Sequence, residues 1–215
     1  MLAGGRSSRM GTDKAQLQHG DATLLDRAIA TAQAAGFAVT VSVAADSQLS
    51  EQLAARGISV VMDKDPELGP LGGITAALEG LAAYSSSSQP VLFMPVDVPR
   101  LPAEFLSWLW RRALSIDAQA AISLVDGREQ PLCAVYASAL ARPLRQQLGN
   151  GERKVMRALR QVVPADSLDC FDVEAVAPVM GWFRPDRWFT NVNTPEEWVA
   201  MREDTLRGDR TPSRI

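Results

Sequence analysis

The chain has 215 residues, room for one α/β domain with a sizeable core or at most two small ones. Apolar residues make up 47% and charged residues 22%, ordinary globular usage that points away from a disordered chain and from a membrane protein. A net charge of −3 and a pI near 5.3 argue against a nucleic-acid binder while leaving room for a local basic pocket. Cys133 and Cys170 lie far apart without metal-ligand spacing and read as two ordinary buried thiols of a reducing cytosol. His19 is the single histidine, which argues against a catalytic triad or a histidine metal site. No run approaches the roughly 20 apolar residues that span a bilayer. Gly4, Gly5 and Arg6 interrupt any signal-peptide core, so a cytoplasmic location is expected.

Only Met1 to Ala3 precede the first glycine pair, so the strand expected before such a loop is stunted or lacks about five to seven residues. Leu24 to Ala35 has helical spacing and stops at Gly36. Phe37 to Ala44 reads as a buried strand, Gln48 to Arg56 as a helix and Ile58 to Met62 as a strand. The turn-rich stretch Asp63 to Gly73 leads into an alanine-rich helix, Ile74 to Tyr84, and the serine run Ser85 to Ser88 forms a loop. Pro90 to Met94 is a strongly apolar strand, which places Asp97 just beyond its carboxyl end. Ala103 to Leu114 is a helix, Ala120 to Val125 and Pro131 to Tyr136 are strands, and Ala137 to Leu148 and Lys154 to Val162 are helices. Pro195 to Leu206 forms the last helix, and Arg207 to Ile215 a frayed tail. Short apolar strands alternating with helices imply a parallel sheet covered on both faces, where ligands bind at the carboxyl ends of the strands. No repeat or linker divides residues 1–206, which read as one domain.

The segment Leu2-Ala3-Gly4-Gly5-Arg6-Ser7-Ser8-Arg9-Met10-Gly11-Thr12-Asp13-Lys14 combines three glycines with Arg6, Arg9 and Lys14. Glycines let backbone N–H groups converge on an anion, while Arg and Lys supply forked and mobile positive charge. A polyphosphate needs both. A solvated Gly/Arg turn is the plainer alternative, and the order matches neither the P-loop nor the dinucleotide fingerprint.

The residue order is similar to the nucleotidyltransferase signature L-A-[AG]-G-x-S-x-R-M-G-x-D-K, and Gly4-Gly5 makes it most like the molybdenum cofactor guanylyltransferases, the MobA family. The resemblance implies a three-layer, Rossmann-like α/β nucleotidyltransferase fold with a mostly parallel central sheet. It continues through Gly69-Pro70-Leu71-Gly72-Gly73, which resembles a nucleotide-approaching G-P-L-x-G loop, or else is a simple turn capping the Ile74 helix. Asp63 aligns with an acidic position that contacts the guanine nucleotide, with Asp65 as its competitor. Met94 to Pro99 resembles the segment whose aspartate, Asp97 here, binds Mg²⁺; alone, Asp97 would equally suit a turn. Gly151-Glu152-Arg153-Lys154-Val155-Met156 resembles a G-E-R-[RK]-V-M stretch, implying a pterin-phosphate role for Arg153 and Lys154 beside the reading as a charged helix start. Asn191-Val192-Asn193-Thr194-Pro195 matches N-x-N-T-P, with Asn191 and Asn193 on the pterin side, and Thr194, Pro195 and Glu197 also make a helix start. The family's asparagine near the end of the second strand is missing; Ser42 substitutes, or the contact is made by backbone.

The resemblance implies transfer of GMP from GTP to molybdenum-bound molybdopterin, giving the guanine dinucleotide and pyrophosphate. Leu2, Ala3, Gly4, Gly5, Lys14, Asp63, Gly69, Gly73 and Asp97 would hold GTP, with Arg9, Lys14 and Asp97 catalytic and Mg²⁺ on Asp97. Molybdenum cofactor insertion proteins or acceptor molybdoenzymes would be its protein partners, with neither nucleic acid nor membrane. The rivals are a cytidylyltransferase or sugar-phosphate nucleotidyltransferase on the same fold, and a non-catalytic nucleotide-binding or cofactor-delivery protein. An NAD-dependent dehydrogenase lacks both the glycine spacing and a proton-transfer residue.

Overall fold

The computed structural model describes residues 1–2, 18–19, 22–44, 49–63, 66–84, 89–194 and 196–201. A short antiparallel hairpin, β1 (Gln18–His19) and β2 (Ala22–Thr23), leads into α1 (Leu24–Ala34). Thr23 caps that helix reciprocally with Asp26, and Gly36 at φ +87° follows it. Then come β3 (Thr40–Ala44), α2 (Leu49–Ala55), β4 (Ser59–Asp63), α3 (Gly69–Tyr84) and β5 (Val91–Phe93). α4 (Ala103–Ser115), β6 (Ala120–Val125), β7 (Arg128–Tyr136), α5 (Ala141–Gly149) and α6 (Val155–Val162) follow. The chain continues through β8 (Leu168–Asp172), α7 (Val173–Met180) and, as the last described element, residues 196–201 of a helix, α8.

Leu2 joins the halves of the sheet. It bridges Ser42 of β3 and Pro95 just past β5, both in parallel, giving the order β4–β3–Leu2–β5–β7–β6–β8. All of these run the same way except β7, which is antiparallel to both β5 and β6. The expectation of a mostly parallel sheet therefore holds. Chain direction explains the exception: a tight turn at Asp126-Gly127 returns β7 beside β6, with both residues at positive φ. Below Leu2, a cavity of about 170 Å³ separates β3 from β5, lined by Thr40, Val61, Ala77, Val91 and Phe93.

Strand alternation builds two cores. Cys133 and Val135 of β7 face one, together with Leu25 and Ile29 of α1, Leu53 of α2 and Phe105 and Leu109 of α4. Ala134 and Tyr136 face the other, with Ile74 and Leu78 of α3, Leu144 of α5 and Leu159 of α6. Because successive strand side chains point to opposite faces, a strand that is apolar at every position needs helices on both sides. The result is three layers.

Several boundaries differ from expectation. The Gly69-to-Gly73 stretch is the first turn of α3 rather than a loop, since tertiary packing overrides the poor helix propensity of Gly and Pro. Pro is in any case tolerated in a first turn, where its missing N–H has no helical partner. The strand expected from Phe37 starts at Thr40, and that expected from Pro131 starts at Arg128. β8 and α7 were not expected. Cys133 is buried as anticipated, but Cys170 is exposed, because β8 edges the sheet and turns that residue outward.

Candidate active site

The predicted phosphate segment lies almost wholly outside the described residues: Ala3, Gly4, Gly5, Arg9 and Lys14 are all there, as is Asp65. Its entry is described. Leu2, held between Ser42 and Pro95, delivers the chain to the carboxyl edge of the sheet. This is where an α/β sheet receives ligands.

Three of the predicted residues meet there. Asp63 ends β4 and is only 5% exposed. Gly73 lies on α3 where a Cβ would sit 3.4 Å from Leu2 Cδ2 and 3.6 Å from Asp63 Oδ2. The glycine thus allows α3 to pass closely over both. Gly69 opens α3 at φ +67°, a conformation that favours glycine. No acidic residue occupies the first turn of α3, so its N–H groups and positive dipole end face no competing carboxylate from that turn.

Asp97 stands two residues past the Leu2–Pro95 bridge, half-buried at the same edge. Its carbonyl accepts a 2.8 Å hydrogen bond from the Val192 N–H, so the Asn191-to-Thr194 segment lies directly against the Asp97 loop. The Asn193 N–H donates to Glu197 Oε2 at 2.6 Å, and the Glu197 N–H donates to Thr194 Oγ1 at 3.1 Å. The expected helix start is therefore built, and it adjoins the candidate metal ligand. Ser42 lies inside β3, buried, with its N–H given to the Met1 carbonyl. It sits below the strand end rather than at it.

Arg153 and Lys154 follow α5, which is tied to α3 by an Arg145–Glu79 ion pair at 2.6 Å. Leu71 of α3, Leu148 of α5 and Val155 of α6 all belong to the second core. Arg153 Nη1 donates to the carbonyls of Leu148 and Glu152, at 3.0 and 2.8 Å. Its guanidinium thus caps α5. Lys154 precedes α6 and is exposed. The Glu152 carboxylate accepts from the Lys154 and Arg153 N–H groups, and these bonds hold its carboxyl below the usual range. Arg100, which the sequence did not single out, reaches across to α8: its Nη2 donates to the Met201 carbonyl at 2.6 Å.

Among the described residues no group of three or more His, Cys, Asp or Glu side chains is placed to hold a metal ion. Burial pushes the Cys133 thiol up to about 12, so it is no nucleophile at neutral pH. No described helix is long and apolar enough to cross a membrane.

Comparison with known proteins gives a consistent picture. The family profile described as MobA-like NTP transferase domain matches residues 1–163. A molybdenum cofactor guanylyltransferase of Sinorhizobium fredii is 32% identical over 214 residues, covering 95% of this chain and 93% of its own. Among solved structures, molybdopterin-guanine dinucleotide biosynthesis protein A from Archaeoglobus fulgidus superposes with TM-score 0.75 at 22% identity, covering 96% of this chain and 97% of its own. The 2-C-methyl-D-erythritol 4-phosphate cytidylyltransferase of Thermus thermophilus shares the fold at TM-score 0.61 and 18% identity, covering 90% and 94%.

Proposed function

Because the chain belongs to the MobA-like NTP transferase family, a family of nucleotidyltransferases, we propose that it transfers GMP from GTP to molybdenum-bound molybdopterin. One observation carries the reading. The Leu2 bridges bring the entry of the Gly/Arg segment to the strand edge where Asp63, Gly73 and Asp97 gather. A terminal phosphate oxygen of the pterin attacks the α-phosphorus of GTP, and the bond to the β-phosphate oxygen breaks. Molybdopterin guanine dinucleotide and pyrophosphate leave. The nucleophile is already ionised at neutral pH, so no general base is needed and the single histidine is no obstacle.

Catalysis of this kind comes from positioning and charge neutralisation. Backbone amides around Gly4 and Gly5, with Arg9 and Lys14, neutralise the triphosphate in this proposal, and Gly69 and Gly73 let the start of α3 approach the nucleotide. Asp63 accepts from guanine N1–H and the exocyclic amine, which adenine cannot supply in that arrangement. Mg²⁺ fits Asp97 because this ion usually takes one or two carboxylates and completes its shell with phosphate oxygens and water. When bound, it adds positive charge at the reacting phosphates. Lys154, Asn191 and Asn193 face the pterin side, while Arg153 supports that side as the cap of α5. Product passes to cofactor insertion proteins or acceptor molybdoenzymes in the cytoplasm.

The test is Asp97→Ala, assayed as Mg²⁺-dependent pyrophosphate release from GTP with molybdopterin. Turnover is expected to vanish while the thermal unfolding midpoint stays within about 3 °C, the shift expected of a mild surface change. Near-normal turnover would remove Asp97 from the mechanism. Running GTP, CTP and UTP side by side separates guanylyl transfer from a cytidylyl or sugar-phosphate activity on the same fold.

A further inference from the structure

We infer that Arg100 is a positioning residue: by binding the Met201 carbonyl of α8 it holds the strap, residues 188–194 and 196–201, against the Asp97 loop and so fixes the carboxylate of Asp97. The inference rests on the reading of Asp97 as the metal-facing carboxylate.

Besides the packing of Trp188 and Phe189 on Phe105 of α4, the strap is held at three places among the described residues. The Val192 N–H binds the Asp97 carbonyl at 2.8 Å. Val192, Trp198 and Met201 are buried with Leu24, the first residue of α1, and the Arg27 guanidinium lies 5.2 Å from the Trp198 ring centroid. The third hold is Arg100, three residues beyond Asp97, whose Nη2 reaches the Met201 carbonyl at 2.6 Å. A charged donor makes this bond stronger than one between neutral groups. The Asp97 loop is thus gripped twice by one strap, by its backbone at Asp97 and by its side chain at Arg100. Release of the Arg100 end loosens the strap that carries the Val192 bond, and with it the Asp97 backbone. Met201 and Arg100 lie 101 positions apart, so the closure is purely tertiary.

The experiment compares wild type, Arg100→Ala, Arg100→Lys and Asp97→Ala in two readouts besides turnover. One is Mn²⁺ affinity with GTP present, measured by electron paramagnetic resonance of free Mn²⁺. The other is hydrogen exchange at the Val192 amide. Arg100→Ala should weaken Mn²⁺ binding and speed Val192 exchange each by about five- to tenfold, the net scale of one hydrogen bond, since the strap keeps its other holds. Exchange in β6 should not change. Arg100→Lys, which keeps the cation and fits the same carbonyl, should recover most of both effects. If Asp97→Ala abolishes Mn²⁺ binding while Arg100→Ala leaves it at the wild-type value, the positioning role fails alone. It fails in the same way if Val192 stays protected in Arg100→Ala. If Asp97→Ala binds Mn²⁺ as wild type does, the reading of Asp97 fails and takes the inference with it.

Discussion

Asp26 does several things at once at the entry to α1. Its Oδ2 accepts from the Thr23 N–H and hydroxyl at 2.9 and 2.7 Å, and its other oxygen meets Arg56 at 2.6 Å. Burial pushes its carboxyl up, but those hydrogen bonds and the Arg56 charge outweigh it and hold the group below its ordinary range. A lowered carboxyl stabilises the fold above its unfolded value of 3.8, and that contribution is lost as pH falls through the lower folded value. Asp26→Asn should therefore cost about 1 kcal/mol at neutral pH, the usual scale of a helix cap. Urea melts should show the gap to wild type closing only once the pH drops below the unfolded value. A pH-independent gap would assign the loss to packing instead. At this same scale, short motifs named Gly73 and Asp97 as candidates, and Asp63 with Asp65 as its competitor, because they set local spacing. Arg100 was not, because its partner is a backbone carbonyl far along the chain.

Helix α3 owes its seat to small residues. A Cβ on Gly80 would stand 2.8 Å from Val61 Cγ1 and 3.0 Å from Cγ2, closer than real contacts allow. Gly80→Ala should destabilise the protein by about 1–3 kcal/mol through overpacking, despite the better helix propensity of alanine. Val61→Ala in the same chain should recover most of that loss, a coupling that a double-mutant cycle measures directly. Additive losses would show that the helix shifts rather than clashes. Element types along the chain were readable from periodicity, as in α4, whose buried Phe105, Leu106, Leu109 and Ala113 line one face. The start of α3 was hidden by glycines and a proline that normally signal a loop. β8 was hidden because an edge strand half open to solvent carries a mixed sequence, Leu-Asp-Cys-Phe-Asp, rather than an apolar run.

Across the whole molecule, the chain beyond residue 163 completes the same sheet, since β8 pairs in parallel with β6. The Arg112–Asp169 pair ties this addition to α4 with two hydrogen bonds, at 2.6 and 3.0 Å, and the guanidinium lies 4.8 Å from the Phe171 ring centroid. Asp169→Ala leaves a partly buried cation unpaired and should cost about 2 kcal/mol, between the values of surface and buried pairs. Thermal unfolding measures it, and an unchanged midpoint would mean that the aromatic packing alone seats β8. By itself, the sequence determined the α/β class, the family and the identity of the motif residues, because periodicity and motif order are local properties of the chain. Only the tertiary structure decided that Leu2 sits between β3 and β5, that Gly73 lies against Leu2 and Asp63, and that Val192 and Met201 bind the Asp97 loop. These contacts join residues far apart in the chain, and packing and hydrogen-bond geometry select them where no local pattern can.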